Sequence, residues 1–254
     1  MPARTILQGL ALPLGALLLA EIAMRASGIH SDGLALPSDV GVAAITGLRD
    51  GTVLLNTGDT LVPAFGGALL GGGLGLLVGL WLGLSTLADD LSALTVELLR
   101  PIPPVALIPL ALLVFGFGFT MEALIVAFTC FWPMLLLTRA ATRAIDRELL
   151  DVADVLGLTA AARIWKIVLP ASLPRVFVAA RLTLGIALIV AVTTEIAANP
   201  SGIGYALVSA QQELRPDIMY VYVAWLALLG WALNSGLVLL ERQLFVVGRA
   251  EVAR

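Results

Sequence analysis

Side chains that could carry out catalytic or metal chemistry are scarce in this chain. The sequence holds one cysteine, Cys130, one histidine, His30, and one lysine, Lys166. Structural metal sites draw on clusters of Cys and His, and covalent catalysis pairs a nucleophile with a nearby base. A phosphate-binding P-loop needs a lysine directly before Ser or Thr, but Ile167 follows the lysine. The sequence therefore predicts no catalytic residue, no metal site and no ATP-hydrolysing site in this chain.

Other polar chemistry is expected where charged residues lie inside or beside apolar stretches. Glu97 and Arg100 are three residues apart and share a helical face, so they could form an ion pair near the interface or face a transport pathway. Glu195 ends another apolar stretch, close to Thr194 and Asn199, and could line an entrance or lie in headgroup water. These five residues are the candidate pathway residues.

One polar segment between two apolar stretches has the pattern of a docking element. It predicts a short helix with apolar side chains, a glycine at its C-terminal turn, a second amphipathic helix around 161–168 and a stop at Pro170. Such a projection suits docking into a groove of a soluble partner, or it could cap the helix bundle as a surface hairpin. The first helix contains Asp151, Val152, Ala153, Asp154, Val155, Leu156 and Gly157.

The elements that position these residues are expected to be membrane-spanning helices. The 254 residues are 59% hydrophobic and 13% charged, and the mean hydropathy is +1.00. Soluble domains carry roughly a quarter charged residues, so this chain has too little charge to cover a globular surface. The net charge of −3 also excludes nucleic-acid binding driven by bulk positive charge. We therefore expect an all-α membrane protein with one domain over 1–254.

Six stretches are long enough, or nearly so, for the roughly 20 apolar residues of a spanning helix. The first could be a signal peptide, but an uncleaved anchoring helix is the expected form. Basic residues concentrate in the segments on one side of the membrane. By the positive-inside rule, both termini and the long polar loop at about 139–175 are therefore expected in the cytoplasm. The stretches are 4–24, 59–89, 100–122, 122–139, 176–198 and 217–241.

The second stretch carries glycine at every fourth position, which places all five on nearly one helix face. Such a face without side chains lets another helix approach closely, although membrane helices are also generally rich in glycine. The partner helix could belong to this chain or to a second copy. The five residues are Gly67, Gly71, Gly75, Gly79 and Gly83.

The third stretch is rich in proline, at 101, 103, 104 and 109. Proline removes a backbone donor and clashes with the preceding turn, so a straight helix through this segment is not expected. Irregular backbone at membrane depth is tolerated where protein or a water-filled cavity surrounds it.

The docking segment resembles the EAA loop of ABC-importer permeases, which reads Glu-Ala-Ala, three residues, Gly, nine residues, then Ile, any residue, Leu-Pro. This chain departs from it with Asp for Glu and Val for the first Ala. Stretches at 36–38, 99–110 and 199–205 are similar to the nitrate, sulfonate, taurine and bicarbonate branch, and the resemblance runs over about 36–242. The EAA positions are Asp151, Val152, Ala153, Gly157, Ile167, Leu169 and Pro170.

The resemblance implies a type I importer permease of the bacterial inner membrane. The expected partners are a second permease copy as a homodimer, two cytoplasmic ATPase subunits that bind ATP and Mg²⁺, an external substrate-binding protein and membrane lipid. This chain would then be no enzyme and would hold no cofactor. Its solute is expected to be small and anionic, and Asp151 is expected to face a basic residue of the ATPase groove.

A secondary transporter or channel is the alternative. Such a protein would show recognisable inverted repeats or acidic relay residues at mid-membrane. No convincing repeat is detectable in the sequence, and Glu97 and Glu195 lie near the ends of their stretches. The importer permease is therefore the favoured interpretation.

Overall fold

The computed structural model describes residues 3–27 and 33–252, and side chains over most of 11–243. The side chain of Asp154, a predicted docking residue, lies outside the described part. A 3₁₀ turn at Pro104–Leu107 and a π turn at Ile164–Val168 lie between helices. The helices are α1 (Ala3–Ser27), α2 (Pro37–Arg49), α3 (Thr52–Leu84), α4 (Thr86–Leu99), α5 (Ile108–Phe115), α6 (Phe119–Arg143), α7 (Arg147–Val155), α8 (Ala160–Arg163), α9 (Leu169–Ala197), α10 (Gly202–Gln212) and α11 (Pro216–Val252).

Four helical segments in the described part are long and apolar enough to cross a bilayer: α3, α6, a continuous helix over 160–197 that ends with α9, and α11 as far as Gln243. A fifth crossing results if α4 and the segment 104–115 count as one. The first predicted span coincides with α1, a helix of 25 residues. The all-helical membrane fold is confirmed, whereas six spans with both termini in the cytoplasm stay a prediction.

The proline-rich segment interrupts a helix, as the sequence predicted, but the broken third span runs over 86–115 and not over the predicted 100–122. Helix α4 ends at Leu99, and the helices on the two sides of the break are bent by 80°. The predicted end of the second span at 89 was also wrong, because 59–89 is not one helix. Helix α3 ends at Leu84, and Ser85 starts α4 by accepting a hydrogen bond from the Ala88 amide at 3.2 Å.

The five glycines of α3 face α6 within the same chain. A Cβ at Gly75 would lie 2.5 Å from the Phe131 carbonyl oxygen, and one at Gly79 would lie 2.6 Å from the Leu135 carbonyl oxygen. Gly67, Gly71 and Gly83 approach α6 equally closely, so the two backbones are in near contact over five turns. Small residues allow this packing because helix association in lipid depends on close van der Waals contact.

Helix α9 completes the central bundle against α3 and α6. A buried cluster at their junction is built from small side chains around Val126 and Cys130: Ala64, Ala68, Ala187 and Ala191. The surrounding apolar side chains of α3 point outward, for example Leu69, 75% exposed, and Trp81, 61% exposed. This arrangement, with a small-residue centre and an apolar exterior, is that of a protein whose solvent is lipid.

The predicted stop of the second loop helix at Pro170 was wrong. Residues 160–197 form one continuous helix in which Pro170 lies in the first turn of α9. The π turn at Ile164–Val168 comes directly before it. Pro170 lacks an amide hydrogen and its ring crowds the preceding turn, but the π turn widens the backbone there, so the helix continues.

A tight turn joins α2 to α3 outside the spanning segments. The Thr52 amide donates to Asp50 Oδ1 at 3.0 Å, and the Thr52 hydroxyl donates to the same oxygen at 2.8 Å. These two hydrogen bonds lower the pKa of Asp50, because they stabilise its charged form. Gly51 between them has φ +83°, a conformation that favours glycine.

Candidate functional site

Helix α7 presents an apolar stripe to its surroundings. Val155 is 87% exposed and Val152 51%, while Ala153 of the same helix is fully buried. Leu156, directly after the last residue of α7, extends the stripe and is 66% exposed. Asp151 is exposed beside the stripe. Three large apolar side chains within five residues are costly to expose to water, so this surface fits contact with another protein.

Gly157 ends α7 in the left-handed conformation, with φ +61°. The Leu158 amide donates to the Ala153 carbonyl at 3.0 Å, and the Leu156 amide donates to the Val152 carbonyl at 3.0 Å. The first of these closes a Schellman motif, in which a residue with positive φ reverses the chain after the last helical turn. The glycine thus directs the chain from α7 into α8.

The second half of the loop fixes α7 to the bundle. Val168 is fully buried and packs with Leu80 and Ile145. Of the other residues predicted here, Leu169 packs against this cluster, Ile167 is half-buried and Pro170 is exposed. The docking stripe is therefore carried on a short helix whose base is anchored between α3 and α9.

The predicted pair Glu97 and Arg100 lies on the surface of the described chain. Both side chains are exposed, and among the described residues they form no ion pair with each other. Arg100 follows the last turn of α4, directly before the proline break. The structure therefore places both residues at the bend of the third span, without a contact that assigns a role.

Glu195 is inside the bundle, 2% exposed. Its Oε2 accepts a hydrogen bond from the Gly204 amide at 2.6 Å, in the first turn of α10. A carboxylate at this position satisfies a free amide and complements the helix dipole. Thr194 is also buried, but its hydroxyl donates to the Val190 carbonyl of its own helix. Glu195 thus fixes α10 against the end of α9.

Asn199 connects the same end of the bundle to α6. Its Nδ2 donates to Glu122 Oε2 at 2.7 Å, and its Oδ1 accepts from the Gly118 amide at 3.0 Å. Glu122 is fully buried, and sequence reasoning used it only as the border between two stretches. Thr60, also fully buried, accepts from the Ile203 amide at 2.9 Å. The sequence does contain a signal for a buried polar role of Glu122, because it is an acidic residue within an otherwise apolar stretch.

A cavity of about 420 Å³ lies beside this polar network. Asp59 and Ser201 contribute polar groups to its wall, Phe119 contributes an aromatic ring, and Glu122 and Asn199 also line it. The five groups come from α3, from α6 and from the α9–α10 connection. The network therefore holds three helices together around a space large enough for a small solute.

At the other end of α6, sequence reasoning missed a second charged cluster. Asp89 is 4% exposed, and its Oδ2 accepts a hydrogen bond from Arg139 Nη2 at 2.8 Å. Its Oδ1 forms an ion pair with Arg139 Nε at 2.6 Å. Arg143 Nη2 lies 2.5 Å from the same Oδ2. The two arginines are four residues apart on one face of α6, but their partner is 50 residues away, so the sequence alone did not join them.

The fold and the site together define a multi-spanning membrane protein with an exposed apolar stripe on the loop that contains α7. Residues 71–245 match the family described as Binding-protein-dependent transport system inner membrane component. The chain belongs to this family of ABC transporter permeases, as the EAA-type spacing had indicated. It is accordingly an inner-membrane transport protein.

Three relatives illustrate the similarity. The chain is 35% identical over 178 residues to SsuC of Bacillus subtilis (strain 168), named for aliphatic sulfonates transport, covering 70% of this chain and 64% of the relative. It is 31% identical over 170 residues to the taurine transport permease TauC of Escherichia coli (strain K12), covering 67% and 62%. It is 30% identical over 176 residues to the bicarbonate transport permease CmpB of Synechococcus elongatus, covering 69% and 62%. The matched part thus spans less than two thirds of each relative.

Solved structures share the fold at low identity. The chain resembles a bacterial ABC transporter involved in alginate import with a TM-score of 0.68 at 17% identity, covering 96% of this chain and 94% of the other. It resembles the MetNI methionine ABC transporter in an inward-facing conformation with a TM-score of 0.65 at 20% identity, covering 73% and 92%. The type I importer permease fold is confirmed by these similarities.

Proposed function

We propose that this chain is the membrane-spanning permease subunit of an ATP-driven importer. Two copies would form the pathway, and an external binding protein would deliver the solute. Two cytoplasmic ATPase subunits would bind ATP and Mg²⁺, so this chain would perform no hydrolysis and hold no cofactor itself. The proposal rests above all on α7, where an apolar stripe is exposed while Ala153 of the same helix is fully buried.

The docking contact would combine apolar burial with one charge. Val152, Val155 and Leu156 would enter a groove of the ATPase subunit, where each apolar side chain could contribute about 1–2 kcal/mol. Asp151 would face a basic residue at the rim of that groove. Because Val168 anchors the base of the loop in the bundle, closure of two ATPase subunits would pull on the spans directly.

The solute is proposed to be a small anion, such as an aliphatic sulfonate, taurine or bicarbonate. Support comes from the names of three relatives that are 30–35% identical to this chain. Arg100 at the bend of the third span is the proposed cationic contact of the pathway. Glu195 and Asn199 would order the opposite end, because both fix helix ends there.

Reconstitution in vesicles tests this function against a secondary transporter. The chain, its ATPase and its binding protein are assembled, and uptake of radiolabelled taurine or ethanesulfonate is measured with ATP or a non-hydrolysable analogue on the ATPase side. The proposal predicts uptake that requires both hydrolysable ATP and the binding protein. Uptake by the chain alone, driven by an ion gradient, would contradict it.

A further inference from the structure

Asp89 is the one buried residue among the fourteen of α4, all of which the structure describes. The outer face of α4 is apolar and exposed: Leu87, Leu91, Leu94 and Leu98 are each between 63% and 74% exposed. At its first turn, α4 is thus attached to the bundle mainly through one carboxylate held by Arg139 and Arg143. Arg139 donates one hydrogen bond, from Nη2 to Oδ2, and its Nε lies 2.6 Å from Oδ1, so the ion pair engages both oxygens of the carboxylate.

The partners of Asp89 lie next to the docking loop. Arg143 is the last residue of α6, and α7 begins at Arg147. Between them, Ile145 packs on Leu80 and Val168, and the Ala144 carbonyl accepts from Arg175 at 3.3 Å. A displacement of α7 therefore reaches the two arginines through a short, packed connection.

The other end of the bent segment reaches the core of the membrane domain. Ile108 in α5 is 4% exposed and packs with Met121 and Ile125 of α6, and Ala198 contacts the same cluster. The α4–α5 segment is thus held at Asp89, near the docking loop, and at Ile108, near the Glu122–Asn199 network. The proline break between them allows the two helices to change their angle.

We propose that Asp89 is a positioning residue that couples movement of α7 to the bent α4–α5 segment. This rests on the proposed function, in which α7 docks on an ATPase. When the ATPase moves α7, the C-terminal end of α6 moves with it and displaces Arg139 and Arg143. The Asp89 carboxylate is bound to both arginines, so α4 moves in the same direction. Without the carboxylate, two nearby guanidinium groups remain unneutralised and α4 is no longer tied to them.

The test compares Asp89→Asn with Asp90→Asn in the reconstituted complex. Asp90 is the exposed neighbour on the same turn, so the control removes the same charge without touching the arginines. ATP hydrolysis and taurine uptake are measured together, and ATPase binding is quantified in the purified complex. We expect Asp89→Asn to keep the ATPase bound but to lower uptake per ATP hydrolysed about tenfold, within the range usual for coupled sites. Asp90→Asn should keep the wild-type ratio.

A second variant separates positioning from folding. Asp89→Glu keeps the charge but lengthens the side chain by one methylene, so it should assemble normally and restore part of the coupling that Asp89→Asn loses. A wild-type ratio of uptake to hydrolysis in Asp89→Asn would overturn the proposal. So would loss of assembly in both Asp89 variants, which would assign Asp89 a purely structural role. Failure of the wild-type chain to bind an ATPase would instead refute the proposed function, and this proposal with it.

Discussion

Two residues at the ends of helices determine local geometry that the sequence indicated only in part. Gly157 has a positive φ, and Glu195 holds the first turn of α10. The sequence indicated the first through its position at the end of a predicted helix. For Glu195, the sequence allowed either an entrance or a position in headgroup water, but the side chain is buried and accepts a hydrogen bond from an amide nine residues later. Each residue leads to a prediction that a single substitution can test.

Gly157→Val should uncouple the transporter. A β-branched residue in the left-handed conformation costs about 1–2 kcal/mol or more, so the chain would leave α7 in another direction and misplace the apolar stripe. We expect substrate-stimulated ATP hydrolysis to be lost in the assembled complex. Gly157→Asn is the matched control, because asparagine tolerates positive φ and should retain most of the stimulation. Normal stimulation in Gly157→Val would contradict the assigned geometry.

Glu195→Ala should destabilise the bundle by about 1–3 kcal/mol, because it leaves the buried Gly204 amide without an acceptor. Glu195→Gln should cost less, since its carbonyl oxygen can accept the same hydrogen bond. Thermal unfolding of the detergent-purified chain measures the difference. If Glu195→Ala unfolds at the wild-type temperature, the hydrogen bond to α10 does not contribute to stability.

At the scale of elements, the glycine face of α3 is the main contact of the bundle. The spacing of four residues predicted a face for close packing but did not say which helix would cover it. The structure places α6 there, with Phe131 and Leu135 carbonyl oxygens directly over Gly75 and Gly79. The face could be predicted because it depends on local periodicity, whereas its partner depends on the tertiary fold.

Gly75→Leu should prevent normal folding or assembly, since the larger side chain must push α3 and α6 apart at a cost of about 1–3 kcal/mol or more. Gly73→Leu is the control on the same helix, because no atom lies within 4 Å of a Cβ built there. Size-exclusion chromatography and thermal unfolding in detergent compare the two variants. Equal behaviour of Gly75→Leu and Gly73→Leu would show that the α3–α6 contact tolerates a large side chain.

The difference between local periodicity and tertiary contacts also explains which features of the whole molecule the sequence could not predict. Hydropathy predicted the helical membrane fold, and the proline positions predicted a break in the helix, which the structure shows as a bend of 80°. Motif spacing predicted a docking loop. The contacts of Asp89 with Arg139 and of Glu122 with Asn199 join residues 50 and 77 positions apart. No periodicity encodes such pairs. The prediction of a stop at Pro170 was wrong because a π turn lets the helix continue.

At the scale of the molecule, the apolar side chains on the exterior divide into two groups. Those of the spanning helices, such as Leu69 and Trp81, fit contact with lipid. Those of α7 lie outside the spanning helices and fit contact with a soluble subunit. In the proposed function, this second group is the ATPase dock, which converts hydrolysis outside the membrane into movement of the spans.

Binding of the ATPase subunit to the apolar stripe is tested by measuring how much ATPase co-purifies with the Leu156→Asp variant. Leu214→Asp is the control, because Leu214 is 62% exposed, close to the 66% of Leu156, and lies outside the spanning helices in the α10–α11 turn. Aspartate also tolerates the φ of +55° found at Leu214. A charge in the apolar contact should reduce ATPase recovery at least tenfold for Leu156→Asp and leave it unchanged for Leu214→Asp. Wild-type recovery of the ATPase with Leu156→Asp would contradict the account.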